Sequence, residues 1–103
     1  MKNILAISFL FLFIIQAFAN DDRYFFENIG LNEGLSNSTV ISIVQDKDGL
    51  IWFATFDGLN KFDGYSIKVY RHIEGNESSL LSNSTRQLYV DEENILWIGT
   101  NDG

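Results

Sequence analysis

Few residues in this chain have types and spacings that could do chemistry. Asp46-Lys47-Asp48-Gly49 places two carboxylates two residues apart ahead of a glycine, as a calcium loop begins. The later ligands and the glutamate that closes a twelve-residue loop do not follow, so the tetrapeptide reads as a hairpin turn. His72 is the sole histidine and has no partner at metal-ligand or triad spacing, which places it on a surface or loop. Trp52 and Trp97 could stack on a pyranose ring, but they recur at equivalent positions and read better as packing residues between repeats. Thr55 and Thr100 share that recurrence and are expected to hydrogen-bond turn backbone. Asp57, Asp63 and Asp102 each precede glycine and read as turns. The glycosylation-type triplets at Asn37, Asn76 and Asn83 are expected to hydrogen-bond at turns and strand entries. No Ser/His/Asp set, phosphate-cradling glycine loop or paired-cysteine motif is present, so no catalytic residue, cofactor or metal is expected.

What must position these residues is a repeat. Leu35-Ser36-Asn37-Ser38-Thr39 returns as Leu81-Ser82-Asn83-Ser84-Thr85, a step of 46, and Trp52 returns as Trp97, a step of 45. One residue is therefore lost just after the Leu-Ser-Asn-Ser-Thr block. A period of roughly 40 to 45 residues made of short strands points to propeller blades. The second copy stops in mid-motif at Asp102-Gly103, which predicts that further repeats follow.

The first blade is expected to have four strands: Ile41 to Gln45, Leu50 to Thr55, Leu59 to Phe62, and Tyr65 to Arg71. Asp-Gly or similar turns separate them. Gln87 to Val90 and Ile95 to Thr100 repeat the first two. Tyr24 to Phe26 reads as an additional strand, either completing the last blade of a closed ring or belonging to the first. The domains expected are a signal peptide at 1–19, an N-terminal strand segment at 20–34, a first propeller repeat at 35–80 and a truncated second at 81–103. The fold class is all-β, with about one and a half blades.

The N-terminus carries its own message. Lys2 precedes an apolar run from Ile4 to Ile15 broken only by Ser8, and Ala17-Phe18-Ala19 supplies a small-x-small site. These features describe a secretory signal peptide cleaved between Ala19 and Asn20. An uncleaved anchor is the competing reading, but sixteen residues from Ile4 to Ala19 fall short of the ~20 needed to cross a bilayer. Cleavage leaves six basic against fourteen acidic residues, about −8, and the basic ones are scattered. Such a balance excludes an electrostatic footprint for nucleic acid or anionic lipid. With no cysteine, disulfides cannot support the core, and burial must do so alone.

The run from Asp48 through Trp52, Thr55 and Asp57-Gly58 to Asp63-Gly64-Tyr65 resembles the two-component regulator propeller repeat, and the likeness extends from about Tyr24 to Gly103. Ala54 departs from the glycine usual there, as at Gly99, and Asn94 from the usual Asp-Gly turn. Behind a signal peptide, the resemblance implies the start of the periplasmic sensor of a hybrid histidine kinase and response regulator of Bacteroidetes type. It implies a β-sandwich, a membrane helix, a kinase core, a receiver and a helix-turn-helix region further on, with released oligosaccharides as input and transcription as output. The implied partners are an oligosaccharide ligand and the remaining blades, with a homodimer left open and no nucleic acid touched by this segment. The implied location is the periplasmic side of the inner membrane. A secreted propeller hydrolase or lyase is the alternative from another class, and a protein-interaction scaffold is a third. An enzyme would need acids converging on the central channel, and the repeated acids here occupy turns.

Overall fold

The computed structural model describes residues 26–103, and the expected signal peptide with its Ala19–Asn20 site lies outside them. Six strands form in chain order: β1 (Val40–Gln45), β2 (Ile51–Thr55), β3 (Gly58–Phe62), β4 (Ile67–Tyr70), β5 (Thr85–Val90) and β6 (Leu96–Thr100). The first four make one antiparallel meander in the order β1-β2-β3-β4, and β5 and β6 make a second, two-stranded sheet. Each element agrees with its sequence signal to within about two residues. The fold is all-β, with one four-stranded blade and the first two strands of another.

The two sheets repeat each other down to an irregularity. In β1–β2 the register runs Val40↔Thr55 and then Ser42↔Ala54, and in β5–β6 it runs Thr85↔Thr100 and then Gln87↔Gly99. A bulge therefore sits at Ile41 in one blade and at Arg86 in the other, 45 residues apart. The residue lost between the copies lies before the bulge, so Thr85 occupies the strand position held by Val40 rather than that of its motif counterpart Thr39.

β4 begins at Ile67, not at Tyr65 as the alternating pattern suggested. The Asp63 carboxylate accepts the N–H groups of Tyr65 and Ser66, both at 2.9 Å, and this Asx turn holds them out of the ladder. The strand expected at Tyr24 to Phe26 is not formed where it is described. Tyr24 and Phe25 lie outside the described residues, Phe26 to Ile29 has no ladder partner, and Leu31–Glu33 is one short 3-10 turn. Gly34, Leu35 and Ser36 then cross one face of the first sheet, where Gly34 approaches Ile67 and Ser36 bonds to Asn60.

Strand alternation sorts the first sheet into two faces. Ser42, Val44, Trp52, Ala54, Leu59 and Tyr70 share the face turned toward the second sheet. Leu88, Val90, Leu96 and Ile98 are what the second sheet turns back, and they occupy the positions of Ile43, Gln45, Ile51 and Phe53 one repeat earlier. Burial follows this geometry: in β1 the even-numbered residues are half-buried and the odd ones exposed, whereas in β5 Leu88 and Val90 are half-buried and Tyr89 is exposed. The sheets thus pack front to back, as blades do. A lone two-stranded hairpin is marginal in water, so β5 and β6 depend on this seam for stability.

Candidate functional site

The seam is where the repeated side chains converge. Its polar centre is a chain of hydrogen bonds that runs from half-buried Ser36 to fully buried Thr85. Ser36 N–H donates to Asn60 Oδ1 (3.0 Å), and Asn60 Nδ2 donates to Ser36 Oγ (2.8 Å). Ser36 Oγ lies 3.1 Å from Thr55 Oγ1, which itself donates to Gly58 O at 2.8 Å. From the second sheet, the Thr85 hydroxyl accepts Thr55 N–H (2.9 Å) and donates to Thr55 O (2.8 Å). Thr55, Asn60 and Thr85 are all fully buried, and every such side-chain polar atom among the described residues has a partner. Low local dielectric strengthens a satisfied network and makes each missing partner costly.

Gly58 completes this junction. Its N–H donates to Asn83 O at 2.6 Å across the seam, and its φ is +104°. A Cβ there would lie 2.6 Å from Tyr70 O, so both space and conformation demand glycine. Asp57, the other half of the turn, pairs with Arg71 at 3.2 Å, and its N–H is held by Thr55 Oγ1 at 3.0 Å. Thr100 does the same in the second copy, donating to Gly103 O (2.9 Å) and accepting Asp102 N–H (3.2 Å).

The tryptophans are held by aspartates that in the sequence read only as turn residues. Trp52 Nε1 donates to Asp46 Oδ2 at 2.9 Å, and Trp97 Nε1 donates to Asp91 Oδ2 at 2.9 Å. The second oxygen of each carboxylate takes two turn N–H groups, from Asp48 and Leu50 in one copy and from Glu93 and Ile95 in the other. Each aspartate therefore both ties its turn and fixes its ring. The indole hydrogen bond, joined by the backbone donors, holds both carboxyls below the ordinary carboxylate value. An aspartate six residues before each tryptophan was the available signal. These oxygens are spent on the fold, and among the described residues no group of three or more metal-ligating side chains converges.

The tips of the two hairpins are stitched together. Asn94 takes the left-handed conformation (φ +63°) that Gly49 takes (φ +87°) one repeat earlier. Its amide accepts Lys47 N–H at 2.8 Å and donates to Asp48 at 3.1 Å, while the Lys47 ammonium reaches Glu92 O. At the opposite end, His72 lies in the inter-blade connection. Its N–H donates to Asn83 Oδ1 (2.7 Å), and its ring nitrogens face Leu80 O (2.7 Å) and Glu74 Oε2 (3.3 Å).

Beside the seam lies a groove of about 540 Å³ lined by Trp52, Leu59, Tyr70, Leu80, Leu96 and Ile98. It opens because β3 and β4 extend past the two strands of the second sheet. Trp52 and Tyr70 lie 5.9 Å apart with Lys61 over both rings, and Lys68 is 5.0 Å from the Tyr70 ring.

The model of the two component regulator propeller matches residues 34–57 and again 79–102, the two segments that carry the doubled geometry. The chain belongs to the two-component regulator propeller family. Histidine kinase P4 of Formosa agariphila is 43% identical over 82 residues, covering 78% of this chain and 6% of that protein. The solved extracellular domain of a hybrid two component system from B. thetaiotaomicron is 41% identical, with a TM-score of 0.67 over 76% of this chain and 11% of its own. This propeller chain therefore spans a small part of the length of either relative.

Proposed function

We propose that this chain is part of the ligand-sensing propeller of a hybrid two-component system. In this reading it lies on the periplasmic side of the inner membrane and signals to a histidine kinase and a transcriptional output. The observation that carries the reading is the likeness, above 40% identity over most of the chain, to a histidine kinase and to the extracellular domain of a hybrid two-component system. The geometry is compatible with it: the repeated aspartates and threonines hold the tryptophans and turns from which the blades are built. No helix among the described residues is long and apolar enough to cross a membrane. A leader at residues 1–19 would direct export, and the N-terminal residue of the exported chain tests processing at Ala19–Asn20.

The ligand we propose is an oligosaccharide, bound by the assembled propeller or across a pair of propellers. Such a ligand acts by preferring one signalling state over the other. Calorimetry of the complete extracellular region against a panel of neutral and acidic oligosaccharides is the test. Saturable heat with one class, matched by altered autophosphorylation when the same sugar is given to the full-length protein, is the expected result. Silence across the panel would remove the glycan assignment, and hydrolysis of any member would replace sensing with an enzyme.

A further inference from the structure

At one end of the seam the repeat keeps its geometry but not its side chains. The bulge residue is Ile41 in the first blade and Arg86 in the second, and the residue after the strand-ending threonine is Phe56 in the first and Asn101 in the second. Thr55 and Asp57-Gly58 beside them return unchanged as Thr100 and Asp102-Gly103. Because Val40 pairs with Thr55 and Thr85 with Thr100, bulge and turn meet at the same end of each sheet. All four residues are exposed, Phe56 at 46% and Ile41 at 40%. Bulges re-aim a side chain and are over-represented next to functional sites.

Arg86 is gripped from both blades. Its Nε donates to Asn101 Oδ1 at 2.7 Å within its own blade, and its guanidinium lies over the Phe56 ring of the first blade, 5.4 Å from the centroid. A planar cation stacks this way on the negative face of an aromatic ring. The two contacts fix the plane of the guanidinium and leave its Nη groups without an acceptor among the described residues, where no carboxylate pairs with it. Asp57, next to Phe56, is engaged by Arg71 at 3.2 Å. In a chain of fourteen acidic and seven basic residues, an arginine held like this and clear of those carboxylates is a preorganised donor for an anion from outside.

We infer that Arg86, with Phe56 and Asn101, forms a subsite for the carboxylate or sulfate group of an acidic sugar; this rests on the oligosaccharide reading and narrows it. The two Nη groups present a fork matched to two oxygens of one anion. The Asn101 amide, its oxygen taken by Arg86, keeps its NH2 to donate. Phe56 and Ile41 supply the apolar half against which the C–H face of a sugar ring can lie. One guanidinium is too little for the polyanionic backbone of a nucleic acid, so the ligand is small and singly engaged.

The test titrates the complete extracellular region by calorimetry with a uronate oligosaccharide, a sulfated one and a neutral one of equal length. One acidic sugar is expected to bind about tenfold or more tightly than the neutral one, and its identity separates carboxylate from sulfate. Arg86→Gln removes the charge and should lose about that tenfold, whereas Arg86→Lys keeps the charge without the fork and should recover only part of it. Phe56→Leu, which removes the stacking face, should weaken the same binding. All three variants should melt near the parent, since the side chains are exposed. A neutral sugar bound as tightly as the acidic ones, or an acidic sugar bound equally by Arg86→Gln, would overturn the subsite and leave the sensor reading standing. Silence toward all three sugars strikes the oligosaccharide reading, and the subsite falls with it.

Discussion

Thr85 clasps the backbone of Thr55, accepting its N–H at 2.9 Å and donating to its carbonyl at 2.8 Å across the seam between two blades. Both residues are fully buried. Thr85→Val keeps the shape and removes the hydroxyl, leaving Thr55 N–H without its partner. A stranded buried donor costs about 1–3 kcal/mol, and the loss falls on the junction that holds β5 and β6. Urea unfolding of the variant should show that loss, and amide exchange should quicken in β5 and β6 before β2 and β3. Thr85→Ser should restore most of both. Equal stability in the valine and threonine chains would refute the clasp.

Asp46 and Asp91 each tie a turn and a tryptophan, and their folded values lie below the ordinary 3.8. A depressed carboxyl contributes stability that is present above its unfolded value and is lost as pH falls through the folded one. The thermal midpoint should therefore decline on acidification below about 3.8, the unfolded value. Asp46→Asn keeps an oxygen for the turn N–H groups but opposes its own NH2 to the indole N–H, donor against donor. That variant should melt lower at neutral pH and should show a shallower acid decline. Trp52→Phe, which removes the indole N–H, should lower the midpoint at neutral pH without additional harm in the Asn background; additive losses would mean that the pair does not interact.

At position 94 the sequence hints at a compromise that the structure explains. Holding a left-handed conformation costs a non-glycine residue roughly 1–2 kcal/mol, and Asn94 offsets it through bonds to Lys47 and Asp48 on the neighbouring hairpin. Asn94→Ala keeps the strain and loses both bonds, so it should destabilise most. Asn94→Gly relieves the strain and loses the same bonds, so chemical denaturation should place it near the parent. If alanine proved as good as asparagine, the stitch between hairpin tips would be irrelevant.

The period, the bulk of the strands and the turns could be read from the chain because Asp-Gly and Glu-Asn punctuation sits between β-branched runs at two matching places. The tryptophan clamp escaped notice because Asp46 was already accounted for as a turn residue, and one carboxylate serving two tasks leaves no separate mark. Asn60 was equally hidden. A lone asparagine inside a strand reads as solvated until Ser36, twenty-four residues earlier, is brought over it. Trp52 and Trp97 were read as packing residues, and only the three-dimensional arrangement separates Trp52, half-buried in the seam, from Trp97, 60% exposed.

His72 yields a last prediction, made clean by its being the sole histidine. Its ring spans the connection between blades, facing Leu80 O on one side and the Glu74 carboxylate on the other. Two acceptors call for two ring protons, and the Leu80 carbonyl, then Glu74, raise the ring above the ordinary 6.5. A raised folded value contributes stability that is fully present below 6.5 and is lost as pH rises through the folded value. The imidazole proton signal should therefore titrate above 6.5, and Glu74→Gln should move it down. Over the same interval, protection of the amides between Ile73 and Ser79 should fall, because the neutral ring can donate to only one of its two acceptors. A midpoint at or below 6.5, with loop protection indifferent to pH, would show that the ring stands free of both.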